Sequence, residues 1–178
     1  GQNYSGSSGI PSYAHNIKIS SPVQIPGTTW SSSANAGYTS YALKTNGTLW
    51  SWGYNEYGQA GHNSRTERSS PVQVPGTTWA KLPVSMPEYS GSMGMIKTDG
   101  TLWVWGHNST GRLGLNDRVN YSSPVQIPGT NWSNVACGGQ MTMATKTDGT
   151  LWVMGDNENG GLGQNEGPGS ASTGAKSS

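Results

Sequence analysis

Apolar and polar residues alternate with a period of two on both sides of a turn signal. Tyr41-Ala42-Leu43-Lys44-Thr45 runs into Asn46-Gly47, and Thr48-Leu49-Trp50-Ser51-Trp52 runs out of it. Successive side chains of a strand point to opposite faces, so this pattern predicts an antiparallel hairpin. The signal recurs at Asp99-Gly100 and Asp148-Gly149. Gly47, Gly100 and Gly149 are therefore expected to complete two-residue type I′ turns, which need positive φ. Val23-Gln24-Ile25 and its copies predict a third short strand between two prolines, and Ser31 to Ala36 a fourth. No apolar period of 3.6 residues runs through the chain, which argues against helical solenoids.

The elements belong to a repeat of roughly 50 residues. Ser-Ser-Pro-Val-Gln-(Ile/Val)-Pro-Gly-Thr-(Thr/Asn)-Trp occupies Ser20–Trp30, Ser69–Trp79 and Ser122–Trp132. Lys-Thr-(Asn/Asp)-Gly-Thr-Leu-Trp occupies Lys44–Trp50, Lys97–Trp103 and Lys146–Trp152. A glycine loop, Gly-x-Asn-x-x-Gly-x-x-Gly, starts at Gly53, Gly106 and Gly155, with a degenerate copy at Gly1. The organisation read from these is repeat units 1–52, 53–105 and 106–154, then a partial repeat 155–178 holding a small, polar, flexible loop. All 8 tryptophans fall on repeat positions: Trp30, Trp79 and Trp132, then Trp50, Trp103 and Trp152, then Trp52 and Trp105, with Met154 in the ninth slot. Recurrence in every unit reads as packing between blades.

Four short antiparallel strands per unit make a β-propeller blade. The expected fold is all-β, with about three blades and a partial fourth. Such an array has open edges and faces that ring closure would protect. Further blades of a longer chain, or self-association, are expected to close it. Both ends fall inside a motif, which favours the longer chain.

Composition agrees with many short strands and tight turns: 27 Gly, 8 Trp, 8 Tyr, no Phe, and 31% hydrophobic residues among 178. A net charge of +1 without a basic block lacks the footprint of a nucleic-acid binder. No apolar run approaches the ~20 residues of a membrane helix, so no membrane insertion is expected. Cys137 is the single cysteine; no intrachain disulfide can form, and it reads as a small core residue rather than a nucleophile.

Through Thr-Asp-Gly-Thr-Leu-Trp-Val-Trp-Gly-x-Asn-x-x-Gly-x-Leu-Gly at Thr98–Gly114, the chain resembles the regulator of chromosome condensation repeat family. The resemblance implies a propeller, usually of seven blades, and an interaction module. Its members include an exchange factor for a small GTPase and a plant ultraviolet photoreceptor, and fold does not choose between such functions. The chain also departs from the family pattern. A histidine is missing at Tyr38-Thr39, Gly91-Ser92 and Gln140-Met141, the middle unit carries extra residues with Pro83 and Pro87, and the photoreceptor's Gly-Trp-Arg-His-Thr cluster is absent. Pro83 and Pro87 are expected to disturb a strand, because proline cannot donate to the ladder.

Residues for catalysis are sparse. His15, His62 and His107 lie in or near loops at no metal-ligand spacing and read as structural or solvated. Asp99 and Asp148 are accounted for by turns. The glycine loops lack the strand–helix setting of a nucleotide fingerprint. No enzyme, cofactor or metal is expected. Loop aromatics off the repeat pattern, Tyr13, Tyr54, Tyr57 and Tyr121, with Arg65, Arg68, Arg112 and Arg118, are the candidate recognition surface, because Tyr and Arg are favoured binding anchors. The leading reading is a non-catalytic binding or scaffold module for a protein or glycan partner. Low charge and abundant Thr, Ser, Asn and Gly suggest an extracellular or virion or cell-surface setting, such as an adhesin or fibre. The alternatives are a guanine-nucleotide exchange regulator of a small GTPase and a purely structural repeat.

Overall fold

The computed structural model describes residue 9 and residues 19–83, 86 and 91–164. Among these residues it is all-β, with eleven strands in three antiparallel sheets. The first sheet is a meander of β1 (Trp30–Ala36), β2 (Thr39–Lys44), β3 (Leu49–Gly53) and β4 (Arg68–Gln73). The second repeats it with β5 (Trp79–Lys81), β6 (Ser92–Lys97), β7 (Leu102–Gly106) and β8 (Tyr121–Gln126). The third has β9 (Trp132–Cys137), β10 (Met141–Lys146) and β11 (Leu151–Gly155) among the described residues.

The sheets are offset from the sequence units. Each of the first two takes its last strand from beyond the next glycine loop, so unit boundaries at 52/53 and 105/106 fall at the ends of β3 and β7. Both Val-Gln copies lie in strands longer than expected, β4 and β8, while Val23–Ile25 is not in a strand. Pro71 and Pro124 sit in these edge strands, where a missing N–H is tolerated. In the middle unit β5 shrinks to three residues just before Pro83, against seven in β1 and six in β9.

The sheets stack through two apolar junctions. Tyr41, Leu43, Leu49 and Val74 pack with Trp79, Met93, Met95 and Trp105. Ile96, Leu102, Val104 and Leu113 pack with Trp132, Val135, Cys137 and Met154. At Gly94 the second and third sheets come close: a Cβ there would lie 2.9 Å from Val135 Cγ2 and 3.2 Å from Cys137 Sγ. Burial raises the Cys137 thiol pKa to about 11, so it stays protonated and unreactive at neutral pH. Leu49 and Leu102 are fully buried, but their counterpart Leu151 is 61% exposed on the outer face of the third sheet.

The hairpins differ from the expected type I′ turns. Lys44 N–H donates to Thr48 O and Gly47 N–H to Lys44 O, each at 3.0 Å, so the loop holds three residues. Positive φ falls on Gly47, Gly100 and Gly149 alone, not on the residues before them. The Asx side chain explains the choice. Asn46 Oδ1 accepts from Thr48 N and Oγ1, as Asp99 does from Thr101 and Asp148 from Thr150. An Asx turn capped this way needs left-handed backbone only at the following glycine.

The same motif orders each sheet's hairpin end. Trp50 Nε1 donates to Thr48 Oγ1, and Lys44 Nζ lies 4.7 and 4.2 Å from the Trp30 and Trp50 ring centroids. Lys97 sits likewise between Trp79 and Trp103, and Lys146 between Trp132 and Trp152. Trp79 and Trp132 thus serve both a sheet junction and a lysine-filled pair.

One position is strained. Thr78 has φ 64°, a left-handed conformation unfavourable for a β-branched residue. Its counterpart Asn131 has φ 67°. Thr78→Asn is expected to stabilise the protein by about 1 kcal/mol, since Asn tolerates this region better. Urea denaturation checks it; an unchanged or lower midpoint contradicts the strain.

Candidate partner-binding face

The glycine loop is a rigid frame built around a buried asparagine. Asn55 is fully buried. Its Oδ1 accepts from Ala60 N at 2.9 Å, and its Nδ2 donates to Ser64 O at 2.9 Å and Thr66 O at 3.0 Å. Asn108 repeats the arrangement with Leu113 N and Asp117 O. Gln59 O accepts both Tyr41 OH and Trp105 Nε1 at 2.7 Å, tying the loop to two sheets. At Gly58 a Cβ would lie 2.6 Å from Ser122 Cα, so only glycine lets the loop meet β8 this closely.

The frame holds Tyr54, Glu56 and Tyr57 at its outer edge. Tyr57 stacks on His107, the first residue of the next glycine loop after Gly106, with centroids 4.2 Å apart and planes 17° apart. Tyr54 meets Tyr57 edge-on at 6.5 Å and donates its hydroxyl to Glu56. Burial, then that hydrogen bond, raises the Tyr54 pKa far above its ordinary value. Gly91 leaves room for the stack, since a Cβ there would lie 3.2 Å from His107 Cβ. Tyr38, 39% exposed, accepts Tyr54 N–H through its carbonyl. An aromatic strip of Tyr54, Tyr57 and His107 runs across the junction of the first two sheets. At the next junction Thr110 and Asp156 take the places of Tyr57 and His107, so the stack is not repeated there.

The other candidates are dispersed. Arg65 and Arg118 stand exposed in the loops leading into β4 and β8, and Arg68 opens β4 opposite Gly53. Tyr121 opens β8 rather than lying in a loop, and its hydroxyl donates to Asp117 Oδ2 at 2.7 Å. Arg112 is no surface anchor: it is 4% exposed, and its guanidinium donates to Gly139 O and Thr110 Oγ1. The Gly139 carbonyl draws the guanidinium inward, a demand invisible in sequence. Tyr13 lies outside the described residues. His107, expected to be structural or solvated, instead completes the stack; its signal in the sequence is its place after Gly106, matching Tyr54 after Gly53.

His62 is a pH-sensitive support of this end. Its Nε2 lies 2.6 Å from Ser51 Oγ and its Nδ1 is buried without a partner. Burial, opposed by hydrogen bonding and reinforced by Arg68, lowers its pKa. The unfolded chain then takes up the proton first, so its contribution is complete above the ordinary value of about 6.5 and is lost as pH falls through it. His62→Leu, the residue at the equivalent Leu115, is expected to flatten the stability profile between neutral and mildly acidic pH. His107, whose pKa burial also lowers, leaves a residual slope. Thermal melts across that range check it; an unaltered slope refutes the assignment.

Four-stranded meanders stacked face to face around buried tryptophans define the chain as a run of β-propeller blades. It belongs to the regulator of chromosome condensation (RCC1) repeat family, whose repeat models match residues 46–82, 99–145 and 132–160. Human protein RCC2 is 32% identical over 107 residues, which cover 58% of this chain and 20% of that protein. The structure of human WBSCR16 superposes with a TM-score of 0.71 at 20% identity, over 86% of this chain and 41% of that one. Yeast RCC1 (Prp20), solved bound to Kap60, gives 0.66 at 18%, over 80% and 35%. The chain thus spans about a fifth of RCC2 and less than half of either solved protein.

Proposed function

We propose that this chain is a non-catalytic docking segment of an RCC1-repeat propeller, holding a protein partner at the glycine-loop end of its first two blades. The observation that carries the reading is the strip of Tyr54, Tyr57 and His107, set on a hydrogen-bonded frame and, among the described residues, spanning one junction. Rigid aromatics on a fixed backbone lose little entropy on binding, which suits a protein contact. A protein partner is favoured over a glycan because the tryptophans of the first two sheets' hairpin ends are paired around lysines rather than laid open as flat platforms. Yeast RCC1 (Prp20), which shares the fold, was solved bound to the protein Kap60. The outer face of the third sheet, where Leu151 and Met143 are exposed, is read as the seat of a further sheet of the same kind.

A photo-crosslinking amino acid at position 57, compared with one at Asn134, tests the docking face in extracts of the source cells. One discrete protein adduct from position 57, weakened by Tyr54→Ala and His107→Ala, supports it. Adducts from position 134 alone overturn it. Nucleotide release from a small GTPase, if accelerated by this chain, would replace the docking reading by an exchange activity.

A further inference from the structure

Two asparagines of the sequence precede glycine, Asn46 and Asn159. With no Cβ on the following residue, the glycine nitrogen can approach the asparagine side chain closely. After losing its proton to base, that nitrogen bonds to Cγ, the Cγ–Nδ2 bond breaks and ammonia leaves. Water then opens the cyclic imide to aspartate or isoaspartate. The net change is amide plus water to acid plus ammonia, with no oxidation or reduction.

At Asn46 the fold restrains both partners of this reaction. Gly47 N–H donates to Lys44 O at 3.0 Å, which holds its proton. Asn46 Oδ1 is engaged by Thr48 N at 3.2 Å and Thr48 Oγ1 at 2.7 Å. The neighbouring sheet locks the turn in place, since Trp79 N donates to Gly47 O at 3.0 Å. Yet the aspartate product is the residue that the two sister turns already carry. Asp99 Oδ1 accepts from Thr101 N and Oγ1 at 3.0 and 2.6 Å, and Asp148 Oδ1 from Thr150 at 2.9 and 2.7 Å.

We propose that Asn46 is a latent deamidation site, closed in the folded hairpin and opened by local unfolding, whose aspartate product rebuilds the same turn with an added negative charge. A charged acceptor strengthens both bonds to Thr48. Isoaspartate, with its extra backbone carbon, does not fit a turn pressed against Thr78. Asn159 is the internal reference. It is exposed, and Gly160 N–H is likewise bonded, to Asn157 O, but among the described residues no hydrogen bond restrains the Asn159 side-chain carbonyl.

The test incubates the whole chain at neutral pH in buffer and in urea, then quantifies aspartate and isoaspartate at both positions by peptide mass spectrometry. Asn46 is expected to react more slowly than Asn159 in buffer and to accelerate by roughly tenfold or more in urea, as protection by local structure implies. Equal rates at Asn46 in buffer and urea overturn the gating. Thr48→Val, which removes the hydroxyl donor, is expected to speed the reaction at Asn46 in buffer. Asn46→Asp tests the product directly: an unchanged or higher melting temperature supports it, and a lower one overturns it.

Discussion

Trp105→Ala is expected to lower the unfolding free energy by about 3–5 kcal/mol, the range for deleting a buried tryptophan. Trp105 is fully buried between the first two sheets, with its ring 5.8 Å from Trp79. Gly61 packs on the indole, so a void there would open under the glycine loop as well as between the sheets. The lost hydrogen bond adds little, because Gln59 O keeps the Tyr41 hydroxyl. Trp105→Met should therefore lose clearly less, since Met154 fills the equivalent slot of the third sheet while 2% exposed. Chemical denaturation of the two variants separates packing from hydrogen bonding. A Trp105→Ala effect within the ±0.5 kcal/mol of a surface change would mean that this junction is not core.

Asn55→Asp changes almost no volume, yet it is expected to cost about 3 kcal/mol or more. The carboxylate can still accept Ala60 N–H but offers no donor to Ser64 O and Thr66 O, which would then face a buried charge. Burial raises the pKa of such a carboxyl, so the folded state gains the proton first and the variant should recover stability as pH falls. Asn55→Ala should lose a similar amount without that recovery. Stability measured against pH distinguishes them, and an Asp variant that weakens in acid would refute the donor role. Loss of the frame should also scatter Tyr54 and Tyr57, so partner crosslinking at position 57 would fall with it.

Much of the architecture was legible because it is local. Two-residue alternation, Asx-Gly turns and tryptophans at fixed offsets depend on neighbours within a hairpin, and the hairpins formed where those signals stood. Even there the turn class differed. The sequence shows an Asx and a glycine, but whether the Asx backbone turns left-handed depends on what its side chain bonds, and Thr48, Thr101 and Thr150 decided that. The candidate face was half legible. Tyr54 and Tyr57 were singled out, whereas Arg112 went inward to satisfy backbone oxygen and His107 came outward to complete the stack.

The repeat period, the strands, the glycines at tight turns and the membership of a propeller family were thus determined by sequence alone, since each follows from the conformational freedom and periodicity of nearby residues. The stacking of the sheets decided the rest. Which strand completes a blade, which polar groups are sealed from water, and which aromatics from successive loops meet are set by contacts about 50 residues apart in the chain, where local pattern carries no information.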